Sequence, residues 1–166
     1  MSSPQGAFIR KLDDSSRFTM PEALLKMYPS TLILTIGFDN TIRAYAPKQW
    51  DEFDGELNDL NPNDPDEMDL LRLFRGNAKE VELDGSHRLR LTEPLTSWAG
   101  IDGESRDVRV YDAGPYLEIW QAERWSQFMT ERSAGLKDAA RRVFGKRQRD
   151  GEEATNDGDA PPAGTA

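Results

Sequence analysis

Two copies of one short pattern, an aspartate followed four residues later by an arginine, carry the side chains best suited to chemistry. The first copy runs from Asp13 to Arg17 and the second from Asp84 to Arg88. A guanidinium held on a turn can donate hydrogen bonds to a phosphate or to the edge of a guanine. It can equally pair with the aspartate of its own turn and fix the shape of that turn. The sequence leaves both roles open, and they are compatible because the aspartate would orient the arginine.

The residue types that are missing argue against several kinds of active site. The 166 residues contain no Cys and one His, His87. Disulfides, Cys-based metal sites, a His-based zinc site and a Ser-His triad are therefore not expected on a single chain. No Gly-rich phosphate loop and no paired nucleophile and base are visible. We therefore predict no enzymatic activity, no cofactor and no small-molecule substrate.

Charge is distributed unevenly along the chain. The formal net charge of −9 argues mildly against a nucleic-acid binder if it were spread evenly. Residues 136–149, however, hold six Lys and Arg against one Asp, whereas residues 150–166 hold five acidic residues and no Lys or Arg. We interpret the first segment as a basic helical extension and the second as a disordered acidic tail.

The pattern of apolar residues gives no sign of a membrane protein. No apolar run approaches the roughly 18 residues that a membrane-spanning helix needs, and residues 1–20 contain no apolar stretch of the signal-peptide kind. The lack of Cys suits a reducing compartment. We expect a soluble, cytoplasmic protein without a membrane partner.

An internal duplication positions the two Asp–Arg turns. With an offset of 71 residues, Leu12, Asp13, Ser15 and Arg17 align with identical residues of the second turn. A later pair of segments, 42–50 and 117–125, aligns with an offset of 75 and ends in Trp in both copies. Two matched blocks in the same order indicate a tandem repeat.

Each repeat predicts the same order of elements. In the first repeat, the spacing of apolar residues predicts a hairpin-like pair of strands over residues 8–20 and a second hairpin over residues 31–45. Pro21 and Pro47 each begin a helix, as proline often does at the first helical position. The same order returns between residues 78 and 128. The sequence therefore predicts an α+β fold built from two similar halves.

Several ordered motifs resemble the MraZ family over residues 6–130. Besides the two Asp–Arg turns, these motifs are Asn63-Asp64-Pro65-Asp66, Phe74-Arg75-Gly76-Asn77-Ala78 and the segment from Leu117 to Trp125. The resemblance implies two tandem swapped-hairpin SpoVT-AbrB β-barrel half repeats that form a pseudo-dimer, with short helices and a C-terminal helix. It also implies a ring-shaped homo-oligomer that binds promoter DNA through the first-hairpin loops and regulates a division and cell-wall gene cluster.

The resemblance also implies where DNA would bind and where the protein would be found. Promoter DNA and other copies of the same chain are the expected partners, and the expected location is the cytoplasm, in association with the nucleoid. Lysines and arginines on the strands entering the loops would add phosphate contacts, although each alone is typical of a solvated surface charge. The residues expected to contact DNA are Arg10, Lys11, Ser15, Ser16, Arg17, Lys79, His87 and Arg88.

Both loops depart from the usual D-x-K-G-R of this family. They lack the Lys and the Gly, and Asp14 adds a negative charge to the first loop. His87 is open to two interpretations, a phosphate contact or a turn filler. Two hypotheses for function follow: a DNA-binding transcriptional regulator, or a ring-forming structural protein that has weak or no DNA binding. The missing lysines favour the second, whereas Arg17, Arg88 and the basic segment favour the first.

The resemblance and the charge pattern together predict five segments. They are a first SpoVT-AbrB repeat over residues 6–53, a helical connector over 54–76, a second repeat over 77–130, a basic helical extension over 131–149 and the acidic tail over 150–166.

Overall fold

The computed structural model describes residues 6–156 and confirms the α+β class. The first repeat contains β1 (Phe8–Lys11), β2 (Arg17–Thr19), α1 (Glu22–Leu25), β3 (Thr31–Gly37), a 3-10 turn (Phe38–Asn40), β4 (Thr41–Tyr45) and α2 (Pro47–Asn58). Helix α3 (Pro65–Gly76) leads into the second repeat. That repeat contains β5 (Lys79–Glu82), β6 (Arg88–Arg90), α4 (Glu93–Ala99), β7 (Asp107–Asp112), β8 (Leu117–Gln121) and α5 (Ala122–Ser133). Helix α6 (Leu136–Asn156) follows.

The two repeats exchange their first strands. Six strands form one antiparallel sheet in the order β1-β7-β8-β4-β3-β5, so the first strand of each repeat pairs with the third strand of the other. The second strands, β2 and β6, pair with each other in a separate two-stranded sheet. The sheet is symmetric: reading the strand order from the opposite end gives the same order with each strand replaced by its counterpart in the other repeat. This is the swapped arrangement expected from the resemblance, although the sheet is open rather than closed into a barrel.

The predicted strand-turn-strand units are therefore not paired hairpins. The turn after β1 closes with a hydrogen bond from the Asp13 N–H to the Arg17 carbonyl, but β1 and β2 then enter different sheets. The reason is burial: Phe18 of β2 and Leu89 of β6 lie opposite each other and are both buried in the common core. Burying them against the six-stranded sheet removes more apolar surface from water than a two-stranded hairpin would.

Helices α2 and α3 cover one face of the sheet with aromatic side chains. Phe53 of α2 stacks on Tyr45 at a ring distance of 5.4 Å and meets Phe74 of α3 at 5.1 Å. The Thr35 hydroxyl donates to the Phe74 carbonyl at 2.6 Å, which ties α3 to β3. Asp64 caps α3 by accepting hydrogen bonds from the first helical N–H groups, as expected for an Asp before Pro at a helix start.

One compact unit holds all eight described strands and ends at Trp125, and a second unit begins at Ser126, within α5. Residues 134 and 135 separate two helices, because α5 ends at Ser133 and α6 begins at Leu136. Helix α6 continues to Asn156, so the first seven residues of the expected acidic tail are helical. Glu and Ala are good helix formers, and the acidic composition of this segment does not by itself prevent a helix. The rest of the tail, residues 157–166, lies outside the described residues. No helix within the described range is long and apolar enough to cross a membrane.

Candidate nucleic-acid interface

The first loop is built around the side chain of Asp13. Its Oδ1 accepts hydrogen bonds from the backbone N–H groups of Ser15 and Arg17, both at 2.9 Å. Its Oδ2 accepts one from Arg17 Nε, also at 2.9 Å. The Ser16 N–H donates to the Asp13 carbonyl at 3.0 Å and completes the turn. A short polar side chain that bonds to nearby backbone groups explains why Asp begins this turn.

The second loop repeats this geometry. Asp84 Oδ1 accepts from the N–H groups of Ser86 and Arg88 at 2.9 Å, and Oδ2 accepts from Arg88 Nε at 2.7 Å. The His87 N–H donates to the Asp84 carbonyl at 2.9 Å. The local pairing that the sequence left open is therefore present in both turns. This pairing leaves part of each arginine accessible, because the side chain of Arg17 is 26% exposed and that of Arg88 is 35% exposed.

Hydrogen bonds keep both carboxylates ionised. The backbone N–H of Arg17, followed by smaller contributions from Ser15 and the Arg17 side chain, lowers the pKa of Asp13. The corresponding groups of Arg88 and Ser86 lower the pKa of Asp84. Each carboxylate can therefore orient its arginine throughout the physiological pH range.

The two loops have the same backbone strain at the position before the arginine. Ser16 has a φ of 58° and His87 a φ of 57°, in the left-handed region that favours glycine. This is the position at which D-x-K-G-R carries Gly. The loop therefore keeps its shape without Gly, at a cost in backbone energy.

Strands β2 and β6 bring the two loops into one structure. The Met20 N–H donates to the His87 carbonyl and the Leu91 N–H donates to the Ser16 carbonyl, both at 2.9 Å, so each loop is held by the strand of the other repeat. Arg17 also reaches across, and its Nη1 lies 3.7 Å from Asp84 Oδ2. The two turns therefore form a single preorganised surface.

The exposed face of this two-stranded sheet carries three arginines. Side chains alternate along a strand, so with Phe18 and Leu89 pointing inward, the residues on either side of them point outward. Arg17, Arg88 and Arg90 thus share one face, and Arg17 lies directly opposite Arg90 in the register. Sequence reasoning missed Arg90. The alternation Arg88-Leu89-Arg90 was the available signal, because it repeats the pattern of Arg17-Phe18-Thr19.

The remaining cationic residues expected at the site lie in two different places. Arg10 is held beside β2, where its Nε donates to the Thr19 carbonyl at 3.0 Å, and Lys11 is exposed two residues before Asp13. Lys79 begins β5, and about 10 Å of strand separates it from Glu82 at the loop end. It lines a hollow with Trp50 of α2 instead. The structure therefore groups Arg10 and Lys11 with the first loop and places Lys79 away from the second.

Arg106 is a second cationic residue at the first loop that sequence reasoning missed. It precedes β7, and its Nη1 pairs with Asp14 Oδ1 at 2.6 Å, while its Nε donates to the Gly103 carbonyl at 2.9 Å. The side chain of Asp14 is fully exposed. The extra negative charge of this loop, on Asp14, is therefore next to Arg106. No local sequence pattern predicts that these two residues meet. The contact spans 92 residues.

The surroundings of the two loops differ in charge. The strand that enters the first loop ends in Arg10 and Lys11, whereas the strand that enters the second ends in exposed Glu80 and Glu82. The first loop therefore has the more positive surroundings, and phosphate neutralisation should favour it.

Comparison with known proteins agrees with the duplication. The family model described as "MraZ protein, putative antitoxin-like" matches residues 5–73 and again residues 74–147. The proteins that resemble the chain include three named Transcriptional regulator MraZ. That of Lactiplantibacillus plantarum is 30% identical over 139 residues, which cover 84% of this chain and 96% of that protein. That of Micrococcus luteus is 26% identical over 133 residues, covering 80% and 91%. That of Clavibacter michiganensis is 25% identical over 139 residues, covering 84% and 95%. With both repeats matched across most of its length, the chain belongs to the MraZ family.

Proposed function

We propose that this protein is a DNA-binding transcriptional regulator that contacts promoter DNA through its two Asp–Arg loops. The observation that carries the proposal is the set of Arg17, Arg88 and Arg90 on one exposed face of the β2–β6 sheet, in a chain whose net charge is −9. A local concentration of arginines on an acidic protein is the electrostatic footprint of a nucleic-acid site. The name that the relatives carry, Transcriptional regulator MraZ, supports the same function.

Binding is mainly neutralisation of phosphates, with the first loop in the leading role. Arg10, Lys11 and Arg106 surround this loop, and Ser15 and Ser16 offer polar groups at its tip. The second loop contributes Arg88 and His87 but faces the repulsion of Glu80 and Glu82. Base contacts by the arginines would then add sequence preference.

The DNA target in this proposal is the promoter of the protein's own division and cell-wall gene cluster, so the protein acts in the cytoplasm at the nucleoid. The basic segment of α6 contributes further phosphate contacts, and the acidic residues that follow it compete with DNA for that segment. The exposed Lys and Arg of α6 support this role, since multiple cations increase affinity through counterion release.

A ring-shaped homo-oligomer is the proposed active form. The open sheet ends in β1 on one side and β5 on the other, and each of these strands has one partner among the described residues. Exposed strand edges tend to pair with other chains. The edge at β1 is basic and carries Ile9, which is 67% exposed, whereas the edge at β5 carries Glu80 and Glu82. Edges of opposite charge favour head-to-tail contacts, which close into a ring when the rotation permits.

Binding of the full-length protein to DNA from its own upstream region tests this function. The DNA is offered at two salt concentrations beside a scrambled sequence of equal length and composition. The proposal expects preferential binding to the upstream DNA, and affinity that falls steeply between the two salts. Equal binding to both sequences would remove the specific regulator from consideration.

A ring-forming structural protein without strong DNA binding is the second candidate. The observation that favours it is the engagement of Arg17, Arg88 and Arg106 by carboxylates of the same protein. Each such carboxylate offsets the positive potential that would attract DNA. This candidate expects an oligomer of the same mass and no detectable binding to either DNA at the lower salt.

A further inference from the structure

Arg43 carries a buried charge that has no charged partner among the side chains of residues 6–151, the ones that the structure describes. It lies in the middle of β4 and is 8% exposed. No carboxylate of the described chain comes within ion-pair distance of its guanidinium. Arginines are almost never buried without a partner, because removing a charge from water is strongly unfavourable. An unpaired arginine at this depth therefore requires a compensating interaction.

The protein satisfies only a small part of this guanidinium. Its Nη1 donates to the Tyr45 hydroxyl at 3.1 Å, and this is its one hydrogen bond to the described part of the chain. Its Nε is buried without an acceptor. A guanidinium has five N–H donors, so most of the donors of Arg43 have no protein acceptor.

Aromatic rings surround the guanidinium. Its central carbon lies 4.4 Å from the ring centre of Tyr116, 5.1 Å from Phe38 and 5.5 Å from Phe74, with Phe53 at 5.9 Å. Such rings attract a cation through their faces, which explains how the charge is tolerated. The faces of these rings are not oxygen acceptors, so they do not replace the hydrogen bonds that the guanidinium lacks.

A cavity of about 310 Å³ reaches Arg43 from the surface. It lies between α2 and the turn before β8, and its lining residues are Arg43, Tyr45, Gln49, Glu52, Phe53, Glu56, Pro115 and Tyr116. This volume is at the lower end of the range for small-ligand pockets, and apolar walls with a few polar groups are typical of such pockets.

We propose that Arg43 forms the base of a binding site for a single carboxylate group. A carboxylate matches the planar fork of a guanidinium and would supply the missing charge and acceptors together. The exposed Glu52 and Glu56 at the mouth repel a doubly charged phosphate more strongly than a singly charged carboxylate. A carboxylate next to an amino group would satisfy the arginine and the two glutamates at the same time.

The nearby Glu118 does not provide this carboxylate. It lies opposite Arg43 in the β4–β8 register, but its Oε1 accepts hydrogen bonds from the Tyr111 hydroxyl and from Trp120 Nε1. Turning Glu118 toward Arg43 would leave those two donors unsatisfied. Glu52 and Glu56 line the same cavity but form no ion pair with Arg43 in this structure. In this proposal the carboxylate comes from outside the chain, either as a small molecule or as an Asp or Glu of a second copy.

Thermal melting of the full-length protein in acetate and in chloride, at equal ionic strength and pH, tests the site. A ligand that binds the folded state raises the melting temperature. Wild type should melt at least about 2 °C higher in 0.2 M acetate than in chloride. Arg43→Met should melt in chloride no lower than wild type, because Met suits the apolar walls, and should show no acetate effect. Arg72→Met, which removes an exposed arginine of α3, should respond to acetate as wild type does.

The oligomer mass distinguishes the two sources of the carboxylate. If a second copy supplies it, acetate competes with that copy for the site. Acetate and Arg43→Met should then each reduce the oligomer mass measured by light scattering, and acetate should not raise the melting temperature of wild type. If a small molecule supplies it, the mass is the same in both salts and in both proteins.

The proposal is overturned if wild type shows neither an acetate-specific rise in melting temperature nor an acetate-specific fall in mass, or if Arg43→Met keeps the acetate response. In the first of these cases the aromatic rings alone would account for the buried arginine. If Arg43→Met does not fold, Arg43→Gln replaces it, and the response of wild type to acetate remains decisive. None of these measurements involves DNA binding. If the protein proves not to be a DNA-binding regulator, the proposed carboxylate site is therefore still tested by them.

Discussion

The pairing of Arg17 with Asp13 and of Arg88 with Asp84 fixes both guanidinium groups before any ligand arrives. A side chain that is already ordered loses less entropy when it binds. Since the pKa of each aspartate is lowered in the folded protein, the stabilisation by these carboxylates is fully present above the unfolded value of about 3.9. It is lost as the pH falls through the lower folded value. The loops should therefore keep their structure throughout the neutral range.

Replacing the strained residue of either loop by glycine should stabilise the protein. Ser16→Gly and His87→Gly relieve a left-handed backbone that costs a non-glycine residue about 1–2 kcal/mol, less the extra entropy that Gly loses on folding. Each change should raise the free energy of unfolding by about 0.5–1 kcal/mol in denaturant titrations. Ser15→Gly is the matched control, because Ser15 has no such strain and the change should destabilise. A loss of stability in both strained variants would contradict the assignment.

Removing the acid of the first loop should increase DNA affinity. Asp14 is fully exposed and pairs with Arg106 beside the proposed DNA contact, so Asp14→Asn frees one cation and removes one repulsive charge. We expect affinity to rise about two- to fivefold at low salt, and stability to change by less than about 0.5 kcal/mol, as for most exposed pairs. Asp69→Asn on α3 makes the same change in net charge outside the loops, and its affinity should match that of wild type. Equal gains in the two variants would point to net charge alone.

At the scale of elements, the exchange of strands places the loops. Neither repeat could build the arginine face alone, because β2 supplies Arg17 and β6 supplies Arg88 and Arg90. Each loop is also held by a backbone hydrogen bond to the other repeat. Separate expression of either repeat would therefore expose Phe18 or Leu89 and lose the shared surface.

The Arg90 side chain tests whether this face, rather than the loops alone, contacts DNA. Arg90→Ala should weaken binding to upstream DNA about fivefold or more, and should reduce the slope of log affinity against log salt by about one for each phosphate that is no longer neutralised. Lys79→Ala is the matched control, because Lys79 lies beside α2 and away from the second loop. Its affinity should stay within twofold of wild type. A larger effect at Lys79 than at Arg90 would mean that DNA approaches a different face.

The sequence predicted elements well and contacts between distant elements poorly. The positions of Pro21 and Pro47, the apolar strands and the repeated turns were sufficient for the α+β class and the duplication. The local Asp–Arg pairing was one of two roles that the sequence left open for these arginines. The grouping of Arg106 with Asp14 depends on which strands neighbour one another, and no local pattern contains that information. Arg90 was missed for a different reason. The alternation of Arg88, Leu89 and Arg90 predicts that Arg90 faces outward, but it does not predict that β6 pairs with β2 and places Arg90 opposite Arg17.

At the scale of the whole molecule, the edge strands β1 and β5 of the described sheet predict association. We expect light scattering at micromolar concentration to give a closed homo-oligomer larger than a dimer. Ile9→Lys adds a charge to the exposed edge strand β1 and should lower the mass without lowering the stability of the subunit. Met129→Lys, an exposed apolar residue of α5, is the control and should leave the mass unchanged. A monomeric wild type would contradict the ring.

The most direct test of DNA recognition is the affinity of Arg17→Ala for the protein's own upstream DNA at two salt concentrations. In the proposed ring Arg17 is repeated in every subunit, so its loss should weaken binding at least about tenfold and flatten the salt dependence. Arg88→Ala removes the same local pairing in the more acidic surroundings of the second loop and should lose less affinity. Melting temperature and oligomer mass are measured for both variants. Binding equal to wild type at both salts, by an Arg17→Ala protein that keeps its fold and its ring, would contradict DNA recognition through these loops.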